Sequence, residues 1–322
     1  MAAIFTAVNL YKYFRARVRR GLFAKGRYMH AVDGVSFEVN KGEAFGIVGE
    51  TGCGKTTVGR LMLRLEKPDS GEILFRGDNI SKFNRKQTKM LRRQAQMVFQ
   101  DPFSSLNPMK DVFWCIAEPL RVHKIYNDSR TIKEKVCEML ETVGLPLDFQ
   151  PKLPDELSGG EKQRVGIARA LILGADFVVC DEPVSMLDAS IKAGIIALLV
   201  KLKQQRELTY VFITHELSVA YTICDRIAVM YAGKIVELAN VEQIIKEPLH
   251  PYTRLLVDAI PPLYPDARWG STIPRGEVPY FIEPPSGCRF HPRCGHARDI
   301  CKVEEPNLEE VTRGHYVACD KV

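Results

Sequence analysis

The strongest constraint on this chain is a short apolar run that breaks into a glycine-rich turn and continues as a helix. Ala44–Val48 reads AFGIV, Gly49–Thr56 reads GETGCGKT, and TTVGRLMLRLE follows with helical spacing. A strand that feeds a helix through such a turn belongs in a sheet whose strands are joined by helices. The turn fits G-x-x-x-x-G-K-[ST] in the strand-then-helix context that the pattern requires. Glycines let successive backbone N–H groups face inward around an anion, and the positive end of the following helix points at the same place. The expected ligand is a run of phosphates. Gly49, Glu50, Thr51, Gly52, Cys53 and Gly54 form the cradle, Lys55 reaches the outer phosphates, and Thr56, with Thr57 beside it, offers a hydroxyl to Mg²⁺. The plain alternative is a glycine turn that binds nothing.

A second apolar strand, FVVCDEP, ends in Asp181 and Glu182. Asp181 can hold Mg²⁺ directly or through water, and Glu182 is placed to orient or deprotonate an attacking water. Two acids at a strand end are also compatible with a solvated turn; with the phosphate loop they complete one Mg-nucleotide site. The segments AVDGVSFEVN, GEILFRGDNI, YVFITHEL and RIAVMYAGKIVELA read as further strands. From about Pro102 to Gly174 the pattern is mostly helical, with Ile132, Val136, Met139, Leu140 and Val143 on one face. Strands alternating with helices predict a mostly parallel, covered sheet.

LSGGEKQR, Leu157–Arg164, narrows the class. Locally it is a capped helix start, for which the serine suffices. The whole string resembles the signature motif of ABC-transporter ATPases. Other matches follow in that family's order over roughly Val8–Ala239: Gln100 in QMVFQ with the Q-loop, Asp188 in SMLD with the D-loop, and His215 in VFITHE with the switch histidine. Met186 stands where alanine is more usual. Each has a bland reading too: Gln100 as a strand-end residue, Asp188 as a helix cap, His215 as the start of a helix capped by Thr214.

The resemblance implies an α/β fold: a P-loop, RecA-like ABC-ATPase core with an inserted helical subdomain and a C-terminal cysteine-rich tail. The expected domains are 1–101 with 175–246 for the nucleotide-binding core and its N-terminal antiparallel β part, 102–174 for the helical signature subdomain, and 247–322 for a C-terminal regulatory or metal-cluster tail. It also implies two chains facing head to tail, with each ATP between one chain's phosphate loop and Ser158, Gly159 and Gly160 of the other. Glu182 is then the base, His215 the γ-phosphate sensor, and Gln100 a contact to Mg²⁺ and water. Asp188 lies at the nucleotide site, and Phe14, or Tyr13 beside it, stacks on adenine.

LRRQAQMVFQDPFSSLNP, HPYTRLLVDAIP and GCRFHPRC resemble the ATPases of dipeptide and oligopeptide importers, leaning toward the F-type member of their usual pair. The expected function is the ATP-hydrolysing motor of such an importer. Its expected partners are a homologous second ATPase (or an identical one), two transmembrane permease subunits and, indirectly, an extracytoplasmic substrate-binding protein, with no nucleic acid. Other cargo that the subfamily carries, sugars or nickel, stays open, as do a permease-free ABC protein and a metal- or redox-sensing module. The FSSLNP neighbourhood reads as the permease dock or as an ordinary Asn-Pro turn.

No apolar run approaches the roughly 18 residues that span a bilayer, and MAAIFTAVNLYKYF lacks a leader pattern. A peripheral protein on the cytoplasmic face of the cell membrane is expected. The net charge of +6 allows but does not require an acidic surface as partner. The stretch from Lys12 to Arg27 carries seven basic residues and no acid; it reads as an exposed loop or as a contact to anionic headgroups.

In a reducing compartment the nine cysteines are not expected to form structural disulfides. Cys288, Cys294, Cys301 and Cys319 crowd the C-terminal region at a spacing that matches neither common zinc modules nor the usual ferredoxins. Spacing leaves a [4Fe–4S] cluster, Zn²⁺ and free or packed thiols open, with His291, His296 and His315 as substitutes. The importer resemblance implies the [4Fe–4S] cluster. Cys53, Cys115, Cys137, Cys180 and Cys224 read as buried thiols.

Overall fold

The computed structural model describes residues 3–15, 27–260, 282 and 284–320. Most of the basic Lys12–Arg27 stretch lies outside the described residues. In chain order the elements are β1 (Ala3–Arg15), β2 (Tyr28–Asn40), β3 (Ala44–Val48), α1 (Lys55–Met62), β4 (Ser70–Phe75) and β5 (Asp78–Asn79). Then come α2 (Arg85–Gln94), β6 (Ala95–Val98), α3 (Pro102–Ser105), α4 (Val112–His123), α5 (Ser129–Thr142), α6 (Gly159–Leu171), β7 (Phe177–Asp181), α7 (Ala189–Arg206) and β8 (Thr209–Thr214). The chain closes with α8 (Leu217–Ile223), β9 (Arg226–Tyr231), β10 (Lys234–Asn240), α9 (Val241–Lys246), α10 (Pro251–Asp258), β11 (Glu309–Thr312) and β12 (His315–Val317). Two compact units result: 1–40, 44–81 and 213–322 form the first, 41–43 and 82–212 the second.

In the first unit, β2, β1, β4 and β5 form an antiparallel sheet in that order. β2 alternates as a half-buried strand should: Val35, Phe37 and Val39 are buried while Ser36 and Glu38 are exposed. Phe37 stacks between Phe5 at 6.0 Å and Phe45 of β3 at 5.1 Å, which ties this sheet to the strand before the phosphate loop. GEILFRGDNI is not one strand but a hairpin. Arg76 and Gly77 both take positive φ, the signature of a two-residue turn, and β5 folds back on β4. The second sheet of this unit runs β11-β12-β10-β9-β3. β3 and β9 pair in parallel, as expected for a strand buried on both faces. From β9 onward the pairing turns antiparallel, because Ala232 and Gly233 at positive φ close a tight hairpin into β10. β12 then adds to β10, so the C-terminal region completes a sheet.

In the second unit, β6 and β7 pair in parallel, with β8 next to β7. β7 and β8 are buried along their whole length. The expected face of α5 is found: Ile132, Val136, Met139 and Leu140 are buried, with Val143 just past the helix end. Each such side chain contributes about 1.5–3 kcal/mol on burial. Asp128 caps α5 through the Thr131 N–H at 2.6 Å, and Asp111 caps α4 through the Trp114 N–H at 2.7 Å; such caps are worth roughly 0.5–2 kcal/mol each. Helix α2 was not expected, since Leu91 is its one buried residue. Its signal is a polar capping box in which Asn84 and Gln87 satisfy each other's backbone N–H groups.

Candidate nucleotide site

The phosphate loop sits in the first unit between β3 and α1. Its glycines answer to close backbone approach. A Cβ on Gly49 would lie 2.2 Å from the Met230 carbonyl oxygen, and one on Gly54 2.0 Å from that of Ala31. Gly52 and Gly54 also hold positive φ. The loop is pinned from below, where the Gly233 N–H donates to the Cys53 carbonyl at 2.9 Å. Lys55 is buried, and its Nζ donates to the carbonyls of Gly49 at 2.7 Å and Glu50 at 3.0 Å. This folds the ammonium back along the loop that it serves. Cys53 is buried, and that burial pushes its thiol up, which makes it a poor nucleophile. Thr51 and Gly52 are exposed, and Thr56 and Thr57 are half-buried at the start of α1.

Also in the first unit, His215 is exposed, with Nε2 3.9 Å from Glu216 Oε1. Thr214 Oγ1 accepts the Glu216 N–H at 3.0 Å and so caps the turn into α8. Of the two aromatic candidates, Tyr13 is committed within the fold. Its hydroxyl donates to Asp33 at 2.9 Å, and its ring lies 4.4 Å from that of His30. Phe14 is half-buried, with Lys12 Nζ 5.3 Å from its ring centre.

In the second unit, the end of β7 carries Asp181 and Glu182, both buried. Glu182 has φ 45°, a left-handed conformation that strains a residue with a side chain. Such strain persists where the surroundings impose it and concentrates at functional positions. The Glu182 carboxylate accepts a hydrogen bond from Gln100 Nε2 at 3.2 Å, which brings two of the sequence candidates together. Ser158 is the exposed N-cap of α6 and forms a capping box: its Oγ accepts the Glu161 N–H at 3.4 Å, and its own N–H donates to Glu161 Oε2 at 2.7 Å. Gly160 is required by packing, since a Cβ would meet Ile191 Cγ2 at 2.4 Å. Asp188 caps α7, accepting from the Ile191 N–H at 3.1 Å and from Ser190 Oγ at 2.8 Å, and these bonds hold its carboxyl below the usual range. Ser158 and Asp188 are therefore the helix caps that local reading allows.

Sequence reasoning missed what the C-terminal region does. Arg293, in CRFHPRC, grips the Glu50 carboxylate with two bonds of 2.7 and 2.9 Å. Tyr252, in HPYTRLL, accepts the Glu50 N–H at 2.9 Å. Arg289 donates to the Ala232 carbonyl and pairs with Asp33. Burial opposes the charge on Asp33, but hydrogen bonds from His30 and Tyr13 and the nearby Arg289 outweigh it and hold the carboxyl at about 2. Buried Glu237 accepts from the N–H groups of Leu249 and His250 and pairs with His315 Nε2 at 2.7 Å. Arginines set between cysteines, Arg289 and Arg293 in CRFHPRC, were the available signal.

Burial pushes the Cys288 thiol up to about 11; a backbone hydrogen bond from Phe290 opposes this, and the nearby Cys301, Cys319 and Cys294 add to it. The four cysteines are thus electrostatic neighbours. Yet among the described residues no group of three or more His, Cys, Asp or Glu side chains is placed to hold a metal ion. The arrangement of the described residues therefore gives no support to the expected [4Fe–4S] cluster or to the zinc alternative. Two of the histidine substitutes are engaged elsewhere: His291 Nδ1 is 2.9 Å from the Cys288 carbonyl, and His315 belongs to Glu237. The oxygen donors Thr56 and Asp181 do suit Mg²⁺ by type, since that ion favours hydroxyl, carboxylate and water.

Known proteins resolve the class. Residues 32–185 match the ABC transporter family model. A dimeric ATP-binding cassette in a post-hydrolysis state, bound to ADP and Pi, superposes with a TM-score of 0.65 at 26% identity, covering 74% of this chain and 98% of that one. cbiO1 from Clostridium perfringens, part of the ABC transporter complex cbiONQ, gives 0.66 at 27% identity, covering 77% of this chain and 92% of its own. Fold and motifs together define an ABC-type ATPase. Residues 236–301 match the C-terminal region of oligopeptide/dipeptide transporters. The oligopeptide transport ATP-binding protein AppF of Bacillus subtilis is 48% identical over 96% of this chain and 94% of its own length. The dipeptide transport ATP-binding protein DppF of Haemophilus influenzae is 44% identical over 98% and 96%. The chain belongs to the family of oligopeptide and dipeptide transport ATP-binding proteins. These relatives do not favour a sugar or nickel importer, or a permease-free ABC protein. Among the described residues no helix is long and apolar enough to cross a membrane.

Proposed function

We propose that this chain is the ATP-hydrolysing motor subunit of an importer for dipeptides or oligopeptides. It works on the cytoplasmic face of the membrane with a homologous second ATPase, two permease subunits and a substrate-binding protein outside. Support comes from 44–48% identity, over 96–98% of this chain, to peptide-transport ATP-binding proteins and from a C-terminal region of the peptide-transporter type. In this reading the core is 1–101 with 175–246, the helical subdomain is 102–174, and the C-terminal region is 247–322.

The loop Gly49–Thr57 takes the phosphates of ATP, with Lys55 on the outer ones and Phe14 against the adenine. Thr56, Asp181 and Gln100 hold Mg²⁺, which neutralises charge on the phosphate oxygens when bound. Glu182 accepts a proton from the attacking water, which Gln100 contacts, and His215 senses the γ-phosphate. Ser158, Gly159 and Gly160 of one chain close on the nucleotide of the other, with Asp188 at the junction. A reactive site split between two chains links binding to closure and product release to opening. The observation that carries the catalytic assignment is Glu182, strained at φ 45° and hydrogen-bonded to Gln100.

The test is uptake in cells that carry the transporter with Glu182→Gln in this chain. Loss of labelled dipeptide or oligopeptide uptake, with sugar and nickel uptake unchanged, is the expected result. Unimpaired peptide uptake, or loss confined to sugar or nickel, would sink the reading.

A further inference from the structure

Glu50 is an odd residue for a loop that receives a polyanion, because its carboxylate adds negative charge beside the phosphates. The structure ties down each of its polar groups. Its N–H goes to the Tyr252 hydroxyl at 2.9 Å, its carbonyl accepts from Lys55 Nζ at 3.0 Å and from the Cys53 N–H at 3.2 Å, and its carboxylate is held by both terminal nitrogens of Arg293. Two of these partners come from the C-terminal region, more than 200 positions along the chain.

Arg293 is built for this contact. Only 8% of it is exposed. Its guanidinium also donates to the Tyr231 hydroxyl at 3.3 Å and lies 5.7 and 5.9 Å from the ring centres of Tyr231 and Phe290. A planar, permanently charged group packed on two rings and meeting a carboxylate with two bonds is rigid and specific. A second route converges on the same loop. Arg289 holds the Ala232 carbonyl, and the next residue, Gly233, donates to the Cys53 carbonyl at 2.9 Å.

We propose that Arg293 is a positioning residue for nucleotide binding. By immobilising and neutralising Glu50 within the phosphate loop, it lets the C-terminal region set the affinity for Mg·ATP. This rests on the reading that the loop binds ATP. Without Arg293, Glu50 stays in the loop as an uncompensated negative charge that the phosphates must approach. The effect therefore runs through charge as well as shape, and a purely structural tie would not behave that way.

The test is equilibrium binding of Mg·ATP to the full chain, with thermal melting measured in parallel. Arg293→Met is expected to weaken binding about tenfold, the scale of one charge-assisted contact. Arg293→Lys, which keeps the charge but not the fork, recovers part of it. Glu50→Gln in the Arg293→Met background binds more tightly than Arg293→Met alone, because the uncompensated charge is gone. Val317→Ala, a buried residue of β12, lowers the melting temperature and leaves affinity unchanged. If Arg293→Met does not fold, Arg293→Lys supplies the readout, with a smaller loss of affinity expected and wild-type affinity refuting the role. The proposal is overturned if Arg293→Met melts early yet binds like wild type, or if adding Glu50→Gln brings no recovery. If the wild-type chain itself fails to bind Mg·ATP, the nucleotide assignment falls first, and this inference with it.

Discussion

Replacing Gly49 by alanine tests the geometry of the phosphate loop most directly. The new Cβ would lie 2.2 Å from the Met230 carbonyl oxygen and 2.8 Å from Cys53 Sγ. Ordinary contact begins at 3.4 Å, so the carbon and the carbonyl must part by roughly 1.2 Å. The carbonyl belongs to the backbone of β9, which is paired on one side with β3 and on the other with β10, and it cannot swing aside as a flexible side chain would. The loop must move instead. Overpacking of this kind costs about 1–3 kcal/mol, and a displacement of about 1 Å at a reacting site costs about a hundredfold in rate. Gly49→Ala should therefore lower kcat/KM for ATP hydrolysis in the assembled transporter by about that factor and reduce stability to urea. Gly166→Ala is the control. It lies within α6, and a Cβ there meets no atom within 4 Å outside its own helix, so it should stabilise by about 0.5–1 kcal/mol. A Gly49→Ala chain with wild-type turnover and stability would refute the close approach of loop and strand.

Other consequences follow from single residues. Glu182→Gln should slow hydrolysis about a hundredfold or more while Mg·ATP still binds, since a general base contributes about that much; single-turnover hydrolysis at the wild-type rate would remove Glu182 from the role. His315→Ala leaves Glu237, which is fully buried, with two backbone donors but no side-chain partner. A loss of about 1–3 kcal/mol in urea unfolding is expected, and an unchanged midpoint would show the pair to be dispensable. Cys288, raised from 9.0 to about 11, should carry about a hundredfold less thiolate at pH 8 than an ordinary cysteine and alkylate correspondingly slowly. Its rate should climb as the pH rises toward 11. Mass spectrometry of iodoacetamide labelling reads this, and alkylation as fast as that of a free cysteine peptide would contradict the burial.

The order of motifs is a property of the chain alone, and it was enough to point to the class. A phosphate loop, an acidic strand end and a capped signature helix are each local: a few consecutive residues carry both the conformation and the chemistry. The apolar face of α5 and the wholly buried β3 and β7 were legible for the same reason, since periodicity and run length record burial directly. The hairpins at Arg76–Gly77 and Ala232–Gly233 were legible in principle as paired positive-φ positions, but an arginine and an alanine hide such turns. Tertiary structure alone decided what meets across long separations. Glu50 and Arg293 are 243 positions apart, and Asp33 and Arg289 are 256 apart. No local pattern encodes a partner at that distance; the C-terminal region is brought to the loop as β12 adds to β10 and Tyr252 of α10 bonds to Glu50. The cysteines make the same point: their crowding in sequence suggested a metal, but a ligand set depends on where side chains converge, and the described residues give no support for one. The sequence determined which chemical groups this protein has; only the fold decided that an arginine among those cysteines serves the phosphate loop.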